Sequence, residues 1–312
     1  MGVSTTSRLP WIALGVVYVL WGSTYLANRF VLPAVPPLLV GGFRFLVGGA
    51  LLAVVVLCVA GRAAFRWTPA QFGTTALSGL LLPAWGNGMV VFAQQGVSSG
   101  LAALLIAAVP LWIVLLRALT GDRPRTATIA GVGVGVVGLA VLVLAGPASG
   151  GPAGTTWWGP WLVLLASLGW AAGTFATTRL PVPPNPFALA AVQMLTGGLI
   201  LLVAGTALGE RLDVAGVTAS AWVAWAYLSM VVTLGAFSAY AFALASLPVS
   251  TVATYAYVNP VIAVALGWFV VGERFTIFQL TGAAVVLVAV VLVVSAERPS
   301  RKCRGSVAAS PV

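Results

Sequence analysis

A residue pattern that recurs after about 150 positions constrains the fold of this chain more than any other sequence feature. Phe92 recurs as Phe242, and Pro110 recurs as Pro260. The other recurring elements are Thr24-Tyr25 with Arg29 and Thr174-Phe175 with Arg179, Gly48-Gly49 and Gly197-Gly198, and Gly121-Asp122-Arg123 and Gly272-Glu273-Arg274. If each half crosses a membrane five times, the second half enters from the opposite side. The duplication then predicts two repeats of inverted topology.

Ten apolar stretches, five in each half, are long enough to cross a bilayer. Hydrophobic residues make up 61% of the chain and charged residues only 6%, which excludes an ordinary soluble domain. The predicted spans are 11–32, 36–59, 70–94, 98–119, 126–145, 156–179, 184–207, 218–246, 250–271 and 276–296. The sequence therefore predicts an all-α integral membrane protein, with ten transmembrane helices arranged as two inverted five-helix repeats.

The polar segments between and around the spans predict the domain boundaries. The segment 146–155 is rich in Gly, Pro, Ala and Ser, and we interpret it as the linker between the halves. The predicted parts are a cytoplasmic N-terminus at 1–10, a first repeat at 11–145, this linker, a second repeat at 156–296 and a basic cytoplasmic tail at 297–312.

The distribution of the fifteen Lys and Arg residues predicts the orientation. With a cytoplasmic N-terminus, eleven of them fall on the cytoplasmic side, only Arg29, Arg211 and Arg274 fall outside, and Arg44 falls within a span. This positive-inside bias predicts that both termini are cytoplasmic. The run Arg298–Arg304 suits anionic lipid headgroups, so the bilayer itself is an expected partner. The net charge of +10 does not predict nucleic-acid binding, because no basic domain with interleaved aromatic residues is present.

The residue types available exclude the common intramembrane enzymes. The chain has no histidine, which intramembrane serine proteases and metalloproteases require, and the aspartyl type needs Gly-x-Gly-Asp where this chain has Leu-Thr-Gly-Asp at 119–122. Its acidic residues all fall at span ends or in loops, and Cys58 and Cys303 are far apart. We therefore expect no enzyme, no catalytic residue, no metal site and no cofactor.

Aromatic and polar residues near the middle of several spans form the candidate substrate cavity. They are Trp21, Thr24, Tyr25, Trp85, Asn87, Trp170, Thr174, Tyr240, Tyr255, Tyr257 and Asn259. Aromatic rings with polar tips suit an amphipathic organic solute better than a bare ion. An alternative for about half of these residues is a belt of Trp and Tyr at the membrane interface, as expected above all for Trp11, Trp157, Trp158 and Trp161.

Arg44 is the one permanent charge within a predicted span, roughly 13 Å from the span start at 1.5 Å per residue. It is a candidate cavity residue that would pair with a substrate anion, or else a structural arginine that binds carbonyl groups or reaches the membrane surface. Its repeat partner lies near Gln193 and is uncharged. This difference favours the structural interpretation.

Pro110 and Pro260 lie in the middle of the fourth and ninth spans, where a proline removes one helix hydrogen bond and bends the helix. The carbonyl groups of Ile106 and Ala256, four residues earlier, then lose their helical donors. Two interpretations remain open. The prolines are either hinges beside the transport path or kinks needed only for packing.

The order of these motifs resembles the drug/metabolite transporter superfamily, specifically ten-span proteins with two tandem EamA-type domains. The matching residues are Leu20-Trp21-Gly22-Ser23-Thr24, Pro36-Pro37-Leu38 leading to Arg44-Phe45, Gly86-Asn87-Gly88, Pro110, Ala256-Tyr257-Val258-Asn259-Pro260 and Gly272-Glu273. The resemblance implies an inverted-repeat basket with a central cavity lined by helices one, three, four, six, eight and nine. It is greatest to bacterial inner-membrane exporters of amino acids and metabolites.

We therefore predict a secondary transporter that exports small amphipathic metabolites, amino acids or their analogues, across the bacterial inner membrane by alternating access. Efflux of lipophilic drugs is an alternative, and a structural or assembly membrane protein without transport is an alternative of another class. The paired mid-span prolines argue against that last alternative. Substrate, coupling ion, direction and oligomeric state stay open, and a monomer is compatible with the sequence.

Overall fold

The chain folds into a bundle of membrane-spanning helices. The computed structural model describes residues 8–122, 124–144, 157–247, 249–252 and 254–296. The helices are α1 (Leu9–Val31), α2 (Pro37–Ala60), α3 (Pro69–Ala93), α4 (Ser99–Leu119), α5 (Thr126–Leu144), α6 (Gly159–Arg179), α7 (Pro186–Ala207), α8 (Ala219–Ser246), α9 (Val249–Val252 and Tyr255–Val271) and α10 (Ile277–Ala296). Within the described ranges, nine helices are long and apolar enough to span a membrane, and α9 is the shorter tenth. The predicted all-α membrane fold is confirmed.

Local sequence signals set the helix starts. Thr68 accepts a hydrogen bond from the Gln71 backbone N–H, and the Gln71 side chain accepts one from the Thr68 N–H, so the two form a capping box before α3. Asn185 caps α7 by accepting from the backbone N–H groups of Phe187 and Ala188. The predicted linker 146–155 and basic tail 297–312 lie outside the described residues, so the predicted domain boundaries stay predictions.

The helix pairing follows the repeat. Helix α2 packs against its repeat equivalent α7, and α5 packs against its equivalent α10. Likewise, α1 contacts α8 and α9, and its equivalent α6 contacts their equivalents α3 and α4. Exchanging the two halves therefore maps these main contacts onto one another. Since each half has five crossings, the second half runs in the opposite direction.

The recurring glycine pairs lie where α2 crosses α7. A Cβ atom added at Gly49 would come within 3.0 Å of the Ala191 carbonyl oxygen. One added at Gly198 would come within 2.8 Å of the Leu46 backbone nitrogen. Only glycine allows the two backbones to approach this closely, as at other crossings of membrane helices. The duplicated Gly-Gly pattern is thus a packing feature of the interface between the repeats.

Both repeats contain a π-helical segment at the same place. It covers Leu80–Asn87 in α3 and Tyr227–Ala236 in α8, about 150 residues apart. A π-helix inserts an extra residue in the hydrogen-bonding ring and is often found at functional sites. These segments were not anticipated from the sequence, and both adjoin the cavities described below.

The helices α4 and α9 are each interrupted by a short non-helical stretch. In α4 the segments Ser99–Ile106 and Val109–Leu119 meet at a tight turn, where the Ala108 N–H donates to the Leu105 carbonyl at 3.1 Å. Pro110 lies in the first turn of the second segment. The predicted span 250–271 corresponds to α9, whose longer segment begins at Tyr255 after a turn at Thr254. Pro260 lies inside the longer segment, and the interruption precedes it by about one and a half helical turns.

The two membrane faces are held together differently. We name them the Arg8 face, where α1 begins, and the Arg29 face, where α1 ends. At the Arg29 face, the Glu273 carboxylate accepts hydrogen bonds from the Ser99 N–H and hydroxyl at 2.9 and 2.7 Å, and from the Gly100 N–H at 3.1 Å. Glu210 similarly accepts from the first backbone N–H groups of α2. Both carboxylates stabilise helix N-termini of the other repeat.

At the Arg8 face, the corresponding loop residue is Asp122. It pairs with Arg117 at 2.8 Å and with Arg179 at 3.4 Å, and all three side chains are substantially exposed. The hydrogen bond and charge of Arg117 hold the pKa of the Asp122 carboxyl below its ordinary value. Asp122 therefore stays ionised throughout the neutral pH range, and its links at this face are accessible to water.

Candidate substrate-binding site

An aromatic cluster occupies the centre of the molecule, around Trp21 on α1. The Trp21 ring lies 5.5 Å from the ring of Trp170, 4.9 Å from Tyr240 and 5.1 Å from Tyr255, measured between centroids. Phe237 lies 5.8 Å from Trp21 and completes the cluster. The edge-to-face geometry of most of these pairs is favourable for aromatic rings. Four helices, α1, α6, α8 and α9, are thus joined at mid-depth.

A small pocket of about 60 Å³ lies beside this cluster, towards the Arg29 face. It is lined by Trp21, Thr24, Tyr25, Asn28, Gly86, Asn87, Val90, Ile106, Trp170, Tyr255 and Asn259. The predicted cavity residues among these are Trp21, Thr24, Tyr25, Asn87, Trp170, Tyr255 and Asn259. The structure therefore brings together residues from α1, α3, α6 and α9 that are far apart in sequence. Ile106, next to the interruption of α4, also lines this pocket.

A larger cavity of about 310 Å³ lies on the other side of the cluster, and we call it the vestibule. Its rim includes Thr178 at the end of α6 and Pro184 before α7, so it is at the Arg8 face. Its inner part includes Trp170, Thr174 and Tyr240. Trp170 lines both cavities and therefore stands between them.

Hydrogen bonds connect the polar groups of the pocket. The Trp170 indole N–H donates to the Tyr255 hydroxyl at 3.1 Å. The Asn28 amide donates to the Gln94 carbonyl oxygen at 2.7 Å, and the Gln94 amide donates to the Tyr25 backbone carbonyl at 3.0 Å. Asn28 and Gln94 were not in the predicted site. The available signal was the position of amide side chains near the ends of two apolar helices, Asn28 in α1 and Gln94-Gln95 directly after α3.

Thr174 and Tyr240 line the vestibule only, and three further predicted site residues are not among the described residues that line either cavity. Trp85 turns towards α6 and donates its indole N–H to the Leu165 carbonyl at 3.0 Å. Tyr257 belongs to α9, but its side chain lies outside the part of the chain that the structure describes. Arg44 lies on α2, away from both cavities.

Arg44 is almost completely buried and bonds to α8. Its Nε donates to the Thr233 hydroxyl at 2.5 Å. Its repeat equivalent Gln193 donates to the Ser78 hydroxyl on α3 at 2.7 Å. Each therefore links the second helix of one repeat to the third helix of the other. This shared geometry favours a structural role for Arg44, and the role itself stays a proposal.

The family model of EamA-like transporters matches both halves of the chain, over residues 9–144 and 157–295. The chain belongs to this family. The resemblance inferred from the motifs is thereby confirmed. This EamA-like transporter is accordingly a multi-pass membrane transporter, and its family points away from an enzyme.

Two curated relatives of this EamA-like protein cover nearly the whole chain. The "Uncharacterized inner membrane transporter YedA" of Escherichia coli (strain K12) is 36% identical over 90% of this chain and 89% of that protein. A "Probable terminal-alkyne amino-acid exporter" of Streptantibioticus cattleyicolor is 29% identical over 92% of this chain and 93% of that protein. A solved crystal structure, 21% identical, matches 94% of this chain and 100% of its own with a TM-score of 0.67, which shows the shared fold.

Proposed function

We propose that this transporter exports small amphipathic metabolites, amino acids or their analogues above all, by alternating access across the bacterial inner membrane. The observation that carries the proposal is the vestibule at the Arg8 face, which leads to an aromatic and amide pocket between the repeats. The names of the two relatives, an inner membrane transporter and an amino-acid exporter, support it.

The two faces differ in a way that fits a transporter loading from the cytoplasm. The vestibule is at the Arg8 face, while the buried Glu273 cap and the Asn28–Gln94 hydrogen bond lie towards the Arg29 face. The Arg8 face carries Arg62, Arg66, Arg117, Arg125 and Arg179 among the described residues. By the positive-inside rule, that face is cytoplasmic, and so are both termini.

The chemistry of the pocket favours a small organic solute. None of the described residues that line it is charged, and its polar groups are amides and hydroxyls. Such groups bind the polar end of a zwitterion through hydrogen bonds, while the ring of Trp170, between the pocket and the vestibule, contacts its apolar part. Both cavities lie within a single chain, so we propose a monomer, embedded in lipid, as the functional unit.

Efflux of lipophilic drugs is a second candidate, and one observation favours it. The vestibule walls are largely apolar, with side chains such as Leu82, Leu189, Phe237 and Leu244. A lipophilic cation or neutral drug would bind there without reaching the pocket. The two candidates therefore differ in whether the solute contacts the amides beyond Trp170.

Proteoliposome counterflow tests the proposal. Vesicles holding the purified protein are preloaded with a mixture of the twenty standard L-amino acids, and uptake of each labelled amino acid is measured. We expect faster exchange of at least one amino acid than in empty vesicles, and loss of that exchange in Trp21→Leu. Trp158→Leu is the matched control, because the Trp158 ring lies against Phe92 and lines neither cavity. Exchange of none of the amino acids, together with exchange of a lipophilic dye, would favour drug efflux instead.

A further inference from the structure

The Asn28 side chain presents a buried hydrogen-bond acceptor without a donor, at the wall of the pocket. Among the described residues, its Oδ1 has no partner, although the side chain is completely buried. We propose that this oxygen accepts a hydrogen bond from the ammonium group of the substrate, so that the pocket selects solutes with a protonated primary amine. The inference rests on the proposed function and adds a recognition site to it.

A chain of hydrogen bonds determines which end of the Asn28 amide is the acceptor. The Tyr25 backbone carbonyl can only accept, so the Gln94 group that faces it at 3.0 Å is the amide N–H₂. The Gln94 oxygen then faces Asn28, and the Asn28 group at 2.7 Å from it has to be the donor. Asn28 Oδ1 is consequently the group left over. Its orientation does not depend on an arbitrary choice between the amide atoms.

A buried acceptor of this kind is unfavourable unless something donates to it. Almost all buried polar groups in proteins have a partner, and an exception calls for an explanation. The Asn28 Nδ2 is held by Gln94, which does not line the pocket, whereas Asn28 itself does. Because Asn28 lines the pocket, a hydrogen-bond donor bound in the pocket is the partner that we infer for its oxygen.

A second amide and two rings make the same place suitable for a cation. Asn259 also lines the pocket, is 6% exposed, and has an Oδ1 without a partner among the described residues. The rings of Trp21 and Tyr255 form part of the wall, and the faces of such rings attract ammonium groups. An ammonium donates in three directions, so it has enough donors for both amide oxygens.

The size of the pocket indicates that it holds a headgroup and not the whole solute. At about 60 Å³ it has the volume of about two waters. The rest of the substrate would therefore extend past Trp170 towards the vestibule. A neutral hydroxyl would also be able to donate to Asn28, but a charged donor forms a stronger bond to the same oxygen. Charge is therefore the property that the test has to separate from hydrogen bonding.

The experiment compares three ligands that differ in one group. The probe is the amino acid that exchanges fastest in the counterflow assay, with its 2-hydroxy and des-amino analogues as competitors; for leucine these are leucic acid and isocaproic acid. With the parent protein, we expect the amino acid to compete at least about tenfold better than the des-amino analogue, with the hydroxy analogue in between. In Asn28→Leu this order should collapse to nearly equal competition.

Two further variants keep the result interpretable. Gln279→Leu removes another buried amide, on α10 and away from the pocket, and should retain the full order of competitors. Asn28→Ser is smaller and keeps a weaker acceptor, so it should give an intermediate order if Asn28→Leu does not fold. Unchanged discrimination in folded Asn28→Leu or Asn28→Ser would overturn the ammonium site alone. If the parent exchanges no amino acid, the proposed function fails first.

Discussion

Among single residues, Asn259 is the one at which a role in binding is most easily distinguished from a role in packing. Its amide lines the pocket and has an oxygen without a described partner, whereas the Trp158 ring lies tilted against Phe92 with ring centroids 5.9 Å apart. We expect Asn259→Leu to weaken equilibrium binding of the exchanged amino acid about fivefold, the loss of roughly 1 kcal/mol of hydrogen bonding. Trp158→Leu should leave the affinity unchanged. Equal affinity in parent and Asn259→Leu would return the amide to a packing role.

Arg44 is a buried residue whose hydrogen bond to Thr233 has an equivalent in the other repeat. Because Gln193 makes the equivalent bond in the other repeat, Arg44→Gln should retain a link to Thr233. It would also remove a buried guanidinium whose Nη1 has no partner among the described residues. We expect the variant to fold and to bind the amino acid within about twofold of the parent. A large loss of affinity with normal thermal stability would show that Arg44 is the counter-charge of a substrate anion.

Among the helices, α4 depends on a carboxylate supplied by the other repeat. Glu273→Ala would leave the backbone N–H groups of Ser99 and Gly100 buried without an acceptor, at a cost of about 1–3 kcal/mol. We expect a clearly lower thermal unfolding midpoint in detergent. Glu273→Gln keeps one oxygen for Ser99, so transport should survive.

Asp122→Asn at the Arg8 face is the variant to compare with the Glu273 substitutions, since Asp122 is the corresponding loop carboxylate of the first repeat. Its carboxylate is exposed, and exposed ion pairs contribute little to stability. Because bonding to Arg117 lowers the Asp122 pKa, the ion pair is present above the ordinary carboxyl pKa and is lost only as the pH falls through the lower value. Transport between pH 6 and pH 8 should therefore not respond to this residue. A midpoint lowered equally by Asp122→Asn and Glu273→Ala would contradict the difference between the faces.

The interrupted helices α4 and α9 pack against each other, both contribute residues to the pocket lining, and each carries a proline. Pro260→Ala would restore one hydrogen bond inside α9 and stiffen it. Since α9 has to move if access alternates, we expect a severalfold lower turnover in counterflow with little change in affinity. Pro69→Ala is the control, because a proline in the first helical turn removes no helix bond. A variant with lower affinity and normal turnover would place Pro260 in binding, not in movement.

For the molecule as a whole, the ten helices could be predicted because a bilayer requires about twenty apolar residues for each crossing. The duplicated glycine pairs were visible in the sequence as part of the repeat, but only the structure shows that Gly49 and Gly198 lie where α2 crosses α7. The π-helical segments and the division of α9 could not be predicted, since apolar residues fit an α- and a π-helix equally well. Asn28 was missed because its significance arises only through Gln94, on another helix.

The orientation of the protein in the membrane is a property of the whole chain. The excess of arginine at the Arg8 face predicts a cytoplasmic location for it, and for the C-terminal tail with Cys303. In a Cys58→Ser background, Cys303 is the remaining cysteine. A membrane-impermeant maleimide should label it only after spheroplasts are permeabilised. In the matched variant Cys58→Ser, Cys303→Ser, Asp213→Cys, the new thiol lies in the exposed α7–α8 loop at the Arg29 face, so intact spheroplasts should be labelled. The reverse pattern would invert the topology, and loading through the vestibule would then describe uptake instead of export.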